Sequence, residues 1–189
     1  MPIETPRLIL RRWRLSDAPF LFRYASHPKV GPAAGWEPHR GVLESRWIIA
    51  RTLSAPEVYA LELKSVGHPI GSVDLYIGRE SSFSLPKTEG ELGFWLGAPF
   101  WGRGLMTEAV EAVVRHAFAD LRLKKLWCGY YDGNLRSKRV AEKCGFRYHH
   151  FVERAPSRIE GDRRTGHAVC LTAEDWMSRL QEPNDRRES

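Results

Sequence analysis

The stretch from Glu91 to Ala109 most constrains the fold, because it predicts a buried strand, a glycine turn and the start of a helix in immediate succession. In the turn, Gly102 and Gly104 bracket Arg103, and glycine lets the backbone approach a ligand closely or adopt a positive φ. The first amides of a helix have no partner within it, and the helix dipole adds partial positive charge there. The segment therefore predicts an anion site, with a pyrophosphate as the expected occupant.

A glycine turn of this kind is weak evidence by itself, since many strand-to-helix turns need glycine only for their geometry. The spacing lacks the third glycine of a Rossmann fingerprint and the Gly-Lys-Ser/Thr of a P-loop. A second segment narrows the interpretation: residues 134–146 predict a helix that begins at an Asn134 N-cap and ends at Gly145. Together the two segments predict a phosphate-bearing acyl carrier held between neighbouring strands.

Size and composition fit a single cytoplasmic domain. A chain of 189 residues can form a sizeable core, to which seven Trp, eight Phe and six Tyr contribute apolar area. The net charge of +6 favours an anionic ligand, and three cysteines without a C-x-x-C pair suit a reducing cytosol. Because neither a signal peptide nor a run of about 20 apolar residues is evident, we expect a cytoplasmic protein without a membrane partner.

Strand and helix patterns follow one another without an internal repeat or linker, which predicts one α/β (α+β) domain over residues 1–189. We expect its core at about residues 5–180 and a charged tail at 181–189. Strand patterns occur at 7–14, 57–64, 70–77, 91–96, 125–130, 146–153 and 167–171. Helix patterns occur at 17–25, with Ser16 as expected N-cap, at 40–53, 103–121 and 134–144, and after an expected Thr172 N-cap.

The chain resembles the GNAT superfamily of acetyl-CoA-dependent N-acetyltransferases, and more narrowly its ribosomal-protein-alanine acetyltransferase branch. The resemblance lies in the order of strands and helices, in Trp-Gly-Arg-Gly-Leu-Met-Thr-Glu-Ala at 101–109 and in Asn…Ser…Val…Glu-Lys-Cys-Gly-Phe at 134–146. It extends from Thr5 to Trp176. It implies a mixed central sheet of about seven strands flanked by helices, with splayed strands that hold CoA. Acetyl-CoA is the implied co-substrate, with no metal.

The superfamily's turn pattern, Gln/Arg-x-x-Gly-x-Gly/Ala, falls here on Trp101, Gly104 and Met106, so that Met106 replaces a small residue. The family pattern implies that the pantetheine arm pairs with an open strand edge, whose N–H groups can polarise the thioester carbonyl. The implied cofactor contacts are Phe94, Trp95, Leu96, Trp101, Gly102, Arg103, Gly104, Leu105, Met106, Thr107 and Asn134. A pure capping role is the alternative for Asn134.

The general acid is an open question, because Ala141 stands where many superfamily members carry a tyrosine. In the ribosomal-protein branch a serine at the position of Ser137 has that task. We expect Ser137 to donate a hydrogen bond and to position the thioester sulfur, since serine is a poor acid and a thiol of pKa ~8.5 leaves readily. A hydrogen bond back to a helix carbonyl is the structural alternative. Lys138, Arg139 and Lys143 either meet the 3′-phosphate of CoA or form a solvated basic face.

A protonated amine also needs a proton acceptor. Glu91 is the first candidate, because it begins a buried strand where its carboxylate is expected to be desolvated; a paired structural glutamate is the alternative. Asp74, His149 and Glu153 are lesser candidates, Glu153 through a loose match to a glutamate of the ribosomal-protein branch.

Two loops are expected to frame the amine acceptor. They lie at 28–38, which contains Trp36, and at 79–87. The basic segment 158–164 either attracts an acidic peptide or remains in water.

The leading hypothesis is an enzyme that transfers acetyl from acetyl-CoA to a primary amine, either a protein N-terminus or a small amine, by direct attack. Such a protein would act as a monomer or homodimer without nucleic acid. A catalytically silent acyl-CoA-binding or partner-binding module on the same fold is the alternative, because the tyrosine is missing. A basic nucleic-acid binder is the third hypothesis, which the scattered distribution of the basic residues disfavours.

Overall fold

One mixed sheet of eight strands organises residues 2–181, the part of the chain that the computed structural model describes. The strands are β1 (Ile3–Glu4), β2 (Leu8–Arg12), β3 (Val58–Leu63), β4 (His68–Ile77), β5 (Glu89–Leu96), β6 (Lys125–Tyr131), β7 (Arg147–Val152) and β8 (Gly166–Thr172). The helices are α1 (Ala18–Ala25), α2 (Val42–Arg51), α3 (Leu105–Arg115), α4 (Leu135–Lys143) and α5 (Ala173–Gln181). The strand order is β1-β2-β3-β4-β5-β6-β8-β7. The predicted α/β fold with a mixed sheet is confirmed, with one strand more than expected.

The sheet opens between its two parallel neighbours, β5 and β6. Their pairing runs from Glu89 opposite Lys125 to Leu92 opposite Cys128. Beyond that point β5 continues to Leu96 on β4, while β6 continues to Tyr131 on β8. The predicted splay is therefore present, and it exposes the β6-facing edge of β5 from Gly93 to Leu96.

Helix α3 supplies much of the core on one face of the sheet. Its buried positions, including Val110, Val113 and Val114, recur at helical spacing and pack with Leu92 and Leu126 of the parallel strands. Full burial of such a side chain contributes about 1.5–3 kcal/mol. This packing fixes the start of α3 beside the opening between β5 and β6.

Several element bounds differ from the predictions. The helix predicted at 103–121 begins at Leu105, because Gly104 adopts a left-handed φ of 71°, and it continues past Arg115 as a π-helical turn at 116–120. Strand β1 is too short for a recognisable alternation. The Ser16 cap prediction is wrong: Ser16 lies inside a 3₁₀ turn, and the Asp17 carboxylate accepts the N–H of Arg14 at 2.8 Å.

Other predicted ends are confirmed. Thr172 Oγ1 accepts the N–H of Asp175 at 3.1 Å at the start of α5, and Gly145 has a positive φ of 90° after α4. Residues 182–189 of the predicted tail lie outside the described residues. None of the helices within residues 2–181 has the length and apolarity that crossing a bilayer requires.

Candidate active site

The turn before α3 has the backbone conformation that its glycines predict. Gly102 has a φ of 75° and Gly104 a φ of 71°, both in the left-handed region. A Cβ at Gly102 would meet no atom within 4 Å, and one at Gly104 would lie 3.6 Å from Arg7 Nη2. The turn therefore requires glycine for its φ angles rather than for space.

The amides of this turn face a cleft and are available to a ligand. Within residues 2–181, the backbone N–H groups of residues 102–107 donate to no protein acceptor, whereas the N–H of Glu108 donates to the Gly104 carbonyl at 3.1 Å. Six consecutive donors at a helix N-terminus form a site that suits an anion such as a pyrophosphate.

Hydrogen bonds from the N-terminal segment hold the outer side of the turn. Arg7 Nη1 donates to the Arg103 carbonyl at 2.9 Å, and Arg7 Nε donates to Glu108 Oε2 at 2.6 Å. Thr5 Oγ1 donates to Glu108 Oε1 at 2.6 Å. Desolvation of the carboxylate acts to raise the pKa of Glu108, but hydrogen bonds from Thr5 and Arg7 outweigh this effect and keep that pKa below its ordinary value. The carboxylate thus stays charged and ties the segment before β2 to α3.

A cleft of about 640 Å³, which we call the carrier cleft, lies between the turn, the end of β5 and α4. Its lining includes Ser137 and every residue predicted to contact the cofactor, namely Phe94, Trp95, Leu96, Trp101, Gly102, Arg103, Gly104, Leu105, Met106, Thr107 and Asn134. Six cationic residues line it: Lys29, Arg103, Arg136, Arg139, Lys143 and Arg164. Asp132 is the one acidic residue among the lining residues described. This charge suits a polyphosphate.

Two predicted residues of the carrier cleft have structural roles as well. Trp101 Nε1 donates to the Leu96 carbonyl at 2.7 Å, which joins the turn to the end of β5, and the Arg136 guanidinium lies 4.1 Å from the Trp101 ring centroid. Met106 is buried at 6% exposure, so its side chain belongs to the core. The replacement of a small residue by Met106 therefore leaves the backbone donors of the turn accessible.

Asn134 and Ser137 begin α4 beside the opening of the sheet. Asn134 Oδ1 accepts the N–H of Ser137 at 3.2 Å, which confirms the predicted cap, and Asn134 Nδ2 donates to the Ala33 carbonyl at 3.1 Å. The Ser137 hydroxyl makes no hydrogen bond to any residue from 2 to 181, so the predicted alternative of a bond back to a helix carbonyl is not observed. Ser137 can direct its hydroxyl at a ligand.

A second cleft, which we call the acceptor cleft, has a volume of about 820 Å³ and meets the carrier cleft at Phe94, Trp95 and Ser137. The predicted framing loops contribute to it through Trp36 and through residues 80–83. Five carboxylate residues line it: Glu37, Glu44, Asp74, Glu80 and Glu91. Two clefts of opposite charge therefore meet at the point where β5 and β6 separate.

Asp74 and Glu91 lie on the same face of the sheet but in different surroundings. Asp74 stands opposite Gly93, is half-buried and lines the acceptor cleft. Burial raises its pKa to about 6, against the hydrogen bond from Ser72 and the charge of Arg158, which lower it. Glu91 Oε2 instead accepts hydrogen bonds from Ser81 Oγ at 2.9 Å and from the backbone N–H of Ser82 at 2.7 Å. Glu91 thus anchors the 79–87 loop.

The remaining base candidates lie elsewhere. His149 and Glu153 line neither cleft: both are exposed, and the His149 ring packs edge-on against Trp127 at 4.8 Å. Lys138 Nζ lies 3.8 Å from Glu142 Oε1, and Lys138 does not line the carrier cleft.

The basic segment 158–164 is divided between the two clefts. Arg164 Nη2 contacts Asp162 Oδ2 at 2.6 Å, and its guanidinium lies 4.0 Å from the ring centroid of Tyr131. Arg158 lines the acceptor cleft. Sequence reasoning missed Lys29, Tyr131 and Arg164 as cleft residues, because nothing in the local pattern links them to the turn.

Sequence and structure comparisons find known acetyltransferases that are similar to this chain. The family model "Acetyltransferase (GNAT) domain" matches residues 7–147. Probable N-acetyltransferase YjcK of Bacillus subtilis (strain 168) is 40% identical over 78 residues, a segment that spans 40% of this chain and 43% of YjcK.

Two solved structures share the fold. An acetyltransferase (GNAT family) from Bacillus anthracis has a TM-score of 0.80 at 18% identity, over 92% of this chain and 99% of that one. The ribosomal-protein-S5-alanine acetyltransferase of Vibrio fischeri has a TM-score of 0.73 at 20% identity, over 93% of this chain and 98% of that one. With the domain model covering most of its length, the chain belongs to the GNAT family of acetyl-CoA-dependent acetyltransferases.

Proposed function

We propose that this protein transfers the acetyl group of acetyl-CoA directly to a primary amine, with CoA in the carrier cleft and the amine in the acceptor cleft. The observation that carries this proposal is the junction of the two clefts at Phe94, Trp95 and Ser137. A cationic cleft and a carboxylate-lined cleft that share a wall suit an anionic donor and an amine acceptor.

The carrier side of the site is built from backbone groups and cations. The free amides of residues 102–107 would hold the pyrophosphate, and Arg136 lies over Trp101 at the same cleft. The open edge of β5 from Gly93 to Leu96 would pair with the amides of the pantetheine arm, as an added strand pairs with a sheet edge. An N–H of that edge would stabilise negative charge on the thioester oxygen. When bound, acetyl-CoA supplies an activated acyl group.

Asp74 is the proposed proton acceptor. The bound ammonium ion first loses one proton to solvent. The neutral amine nitrogen then forms a bond to the acetyl carbon as the carbon–sulfur bond breaks, and its second proton passes to the Asp74 carboxylate directly or through water. The sulfur leaves as a thiolate, to which Ser137 donates a hydrogen bond, and it takes its proton from solvent. Glu91 attracts the ammonium ion and holds the loop at 79–87; it remains the second candidate for the base.

A direct assay tests the proposal. We expect acetyl-CoA at 100 times its Kd to stabilise the protein by about 2.7 kcal/mol, and we expect release of free thiol to depend on an added amine. Thermal stabilisation by CoA without thiol release on any amine would indicate the silent binding module instead. If CoA does not stabilise the protein and no thiol is released, the whole proposal is contradicted.

Substitution of Ser137 by alanine tests its role at the sulfur. We expect kcat to fall by about tenfold, the loss of one hydrogen bond to a charged group, while the Kd of CoA is unchanged. Ser178→Ala is the matched control, because Ser178 is an exposed helix serine whose hydroxyl donates to the Glu174 carbonyl at 3.0 Å, outside both clefts. Equal turnover of Ser137→Ala and the unmodified protein would leave Ser137 with a structural role only.

A further inference from the structure

We propose that the acceptor is a small amine with a single positive charge and an aromatic ring, rather than an amine that also carries a carboxylate or an extended peptide. This inference rests on the proposed function, because it concerns the second substrate of the same site. Three features of the acceptor cleft support it: its charge, its aromatic lining and the shape of its floor.

The charge of the acceptor cleft is opposite to that of the chain as a whole. The net charge of the protein is +6, yet Arg158 is the one arginine or lysine among the described lining residues, against five carboxylate residues. Burial lowers the pKa of His39 in this cleft, so its imidazole is neutral at pH 7. Asp74 and Glu91 lie on the sheet face, and Glu80 lies at the exposed rim. Such a field attracts an ammonium ion and repels a substrate carboxylate.

Aromatic side chains form the walls around these carboxylates. The rings of Trp36 and Trp95 meet edge-to-face with centroids 5.8 Å apart, and Trp95 stacks on Trp13 at 6.5 Å. Tyr76 and Phe83 line the same cleft. Burial raises the pKa of Tyr76, so its ring is neutral and contributes no competing charge. Faces of this kind bind an aromatic ring by offset or edge contacts and an ammonium ion by cation–π attraction.

The floor of the cleft leaves room for a planar group. Gly93 lies on the face shared by Glu91 and Trp95, and a Cβ there would meet no atom within 4 Å. A Cβ at Gly129 would have Phe83 Cζ as its nearest neighbour, at 3.7 Å. A volume of about 820 Å³ is in the range of small-molecule sites. The strand edges that β5 and β6 leave open beyond Leu92 and Cys128 flank the space assigned to the pantetheine arm, so with CoA bound they are not free to bind an extended peptide backbone.

A set of matched amines tests the inference with the full-length protein. We expect kcat/KM for tyramine to exceed that for tyrosine by about tenfold or more, since the two differ by the carboxylate that the cleft repels. We expect a similar preference for 2-phenylethylamine over butylamine, which lacks the ring, and for tyramine over a tetrapeptide that begins with alanine. Raised ionic strength should increase KM for tyramine.

Two variants assign the preference to the cleft. Gly129→Ala adds a methyl group to the floor with only ordinary contacts, since Phe83 Cζ would lie 3.7 Å from it, and we expect KM for tyramine to rise by about threefold while KM for acetyl-CoA is unchanged. The double change Glu37→Gln and Glu80→Gln should raise KM for tyramine about threefold and reduce its salt dependence. Glu174→Gln is the matched control, because Glu174 is exposed and lines neither cleft.

The outcomes separate this inference from the proposed function. Efficient transfer to the peptide or to tyrosine, at a kcat/KM equal to or above that of tyramine, overturns the acceptor class and leaves the proposed function intact. Equal use of butylamine and 2-phenylethylamine also overturns it. Thiol release with none of the amines overturns both proposals together.

Discussion

Replacing Gly104 with valine is expected to weaken CoA binding by about 10- to 100-fold, because a β-branched residue disfavours the left-handed φ of 71° by roughly 2 kcal/mol or more. Relief of that strain would rotate the amides at the start of α3 away from the pyrophosphate. The Cβ itself would lie 3.6 Å from Arg7 Nη2, an ordinary contact, so the effect arises from the backbone rather than from a clash. Calorimetric titration with CoA measures the change.

Gly67→Val separates this effect from a general loss of stability. Gly67 also has a positive φ, 68°, and a Cβ there would meet no atom within 4 Å, but it lies in the turn between β3 and β4, outside both clefts. We expect a similar fall in melting temperature for both variants and weaker CoA binding for Gly104→Val alone. A folded Gly104→Val protein with normal CoA affinity would show that the turn does not hold the phosphates.

The turn and the start of α4 could be predicted because their structure depends on neighbouring residues. The signals for both features lie within a few neighbouring residues. One is a glycine with positive φ before an amphipathic helix, and the other is an asparagine three residues before the amide that it caps. The residues that complete the carrier cleft are not encoded locally. Lys29 and Arg164 reach it from loops far away in sequence, and only the tertiary fold places them there.

The choice between Glu91 and Asp74 shows where local pattern fails. Both are acidic residues in strands with buried neighbours, so the sequence cannot rank their desolvation. In the fold, Glu91 accepts hydrogen bonds from the hydroxyls of Ser81 and Ser82 in the loop at 79–87. Asp74 accepts one from the hydroxyl of Ser72 and lines the cleft. The difference depends on which loop crosses above which strand, and strand periodicity carries no information about that crossing.

Asp74→Asn is expected to reduce kcat by about 10²- to 10⁴-fold, the usual contribution of a general base. The substitution keeps the side-chain volume and an oxygen that can accept from Ser72, but it removes the proton acceptor. In the unmodified protein, kcat/KM should rise with pH through about 6, where Asp74 ionises. At higher pH the ionisation of Asp74 is complete and contributes no further increase in kcat/KM. The variant should lack that rise. Steady-state rates from pH 5 to pH 8, measured as thiol release, provide the test.

The same substitution should stabilise the protein at neutral pH. Because the pKa of Asp74 is raised from 3.8 to about 6 in the folded state, the folded protein holds this proton more tightly, and the free energy of unfolding falls as pH rises through that range. The rise in the pKa of Asp74 corresponds to a loss of at most about 3 kcal/mol in the free energy of unfolding at neutral pH, and the neutral amide of the variant restores part of that loss.

Loss of activity together with a higher melting temperature cannot be explained by misfolding, and Glu91→Gln provides the control in the same cleft. If Glu91→Gln, rather than Asp74→Asn, abolishes the rise with pH, then Glu91 is the base. In that case the open carboxylate of Asp74 serves to attract the ammonium ion.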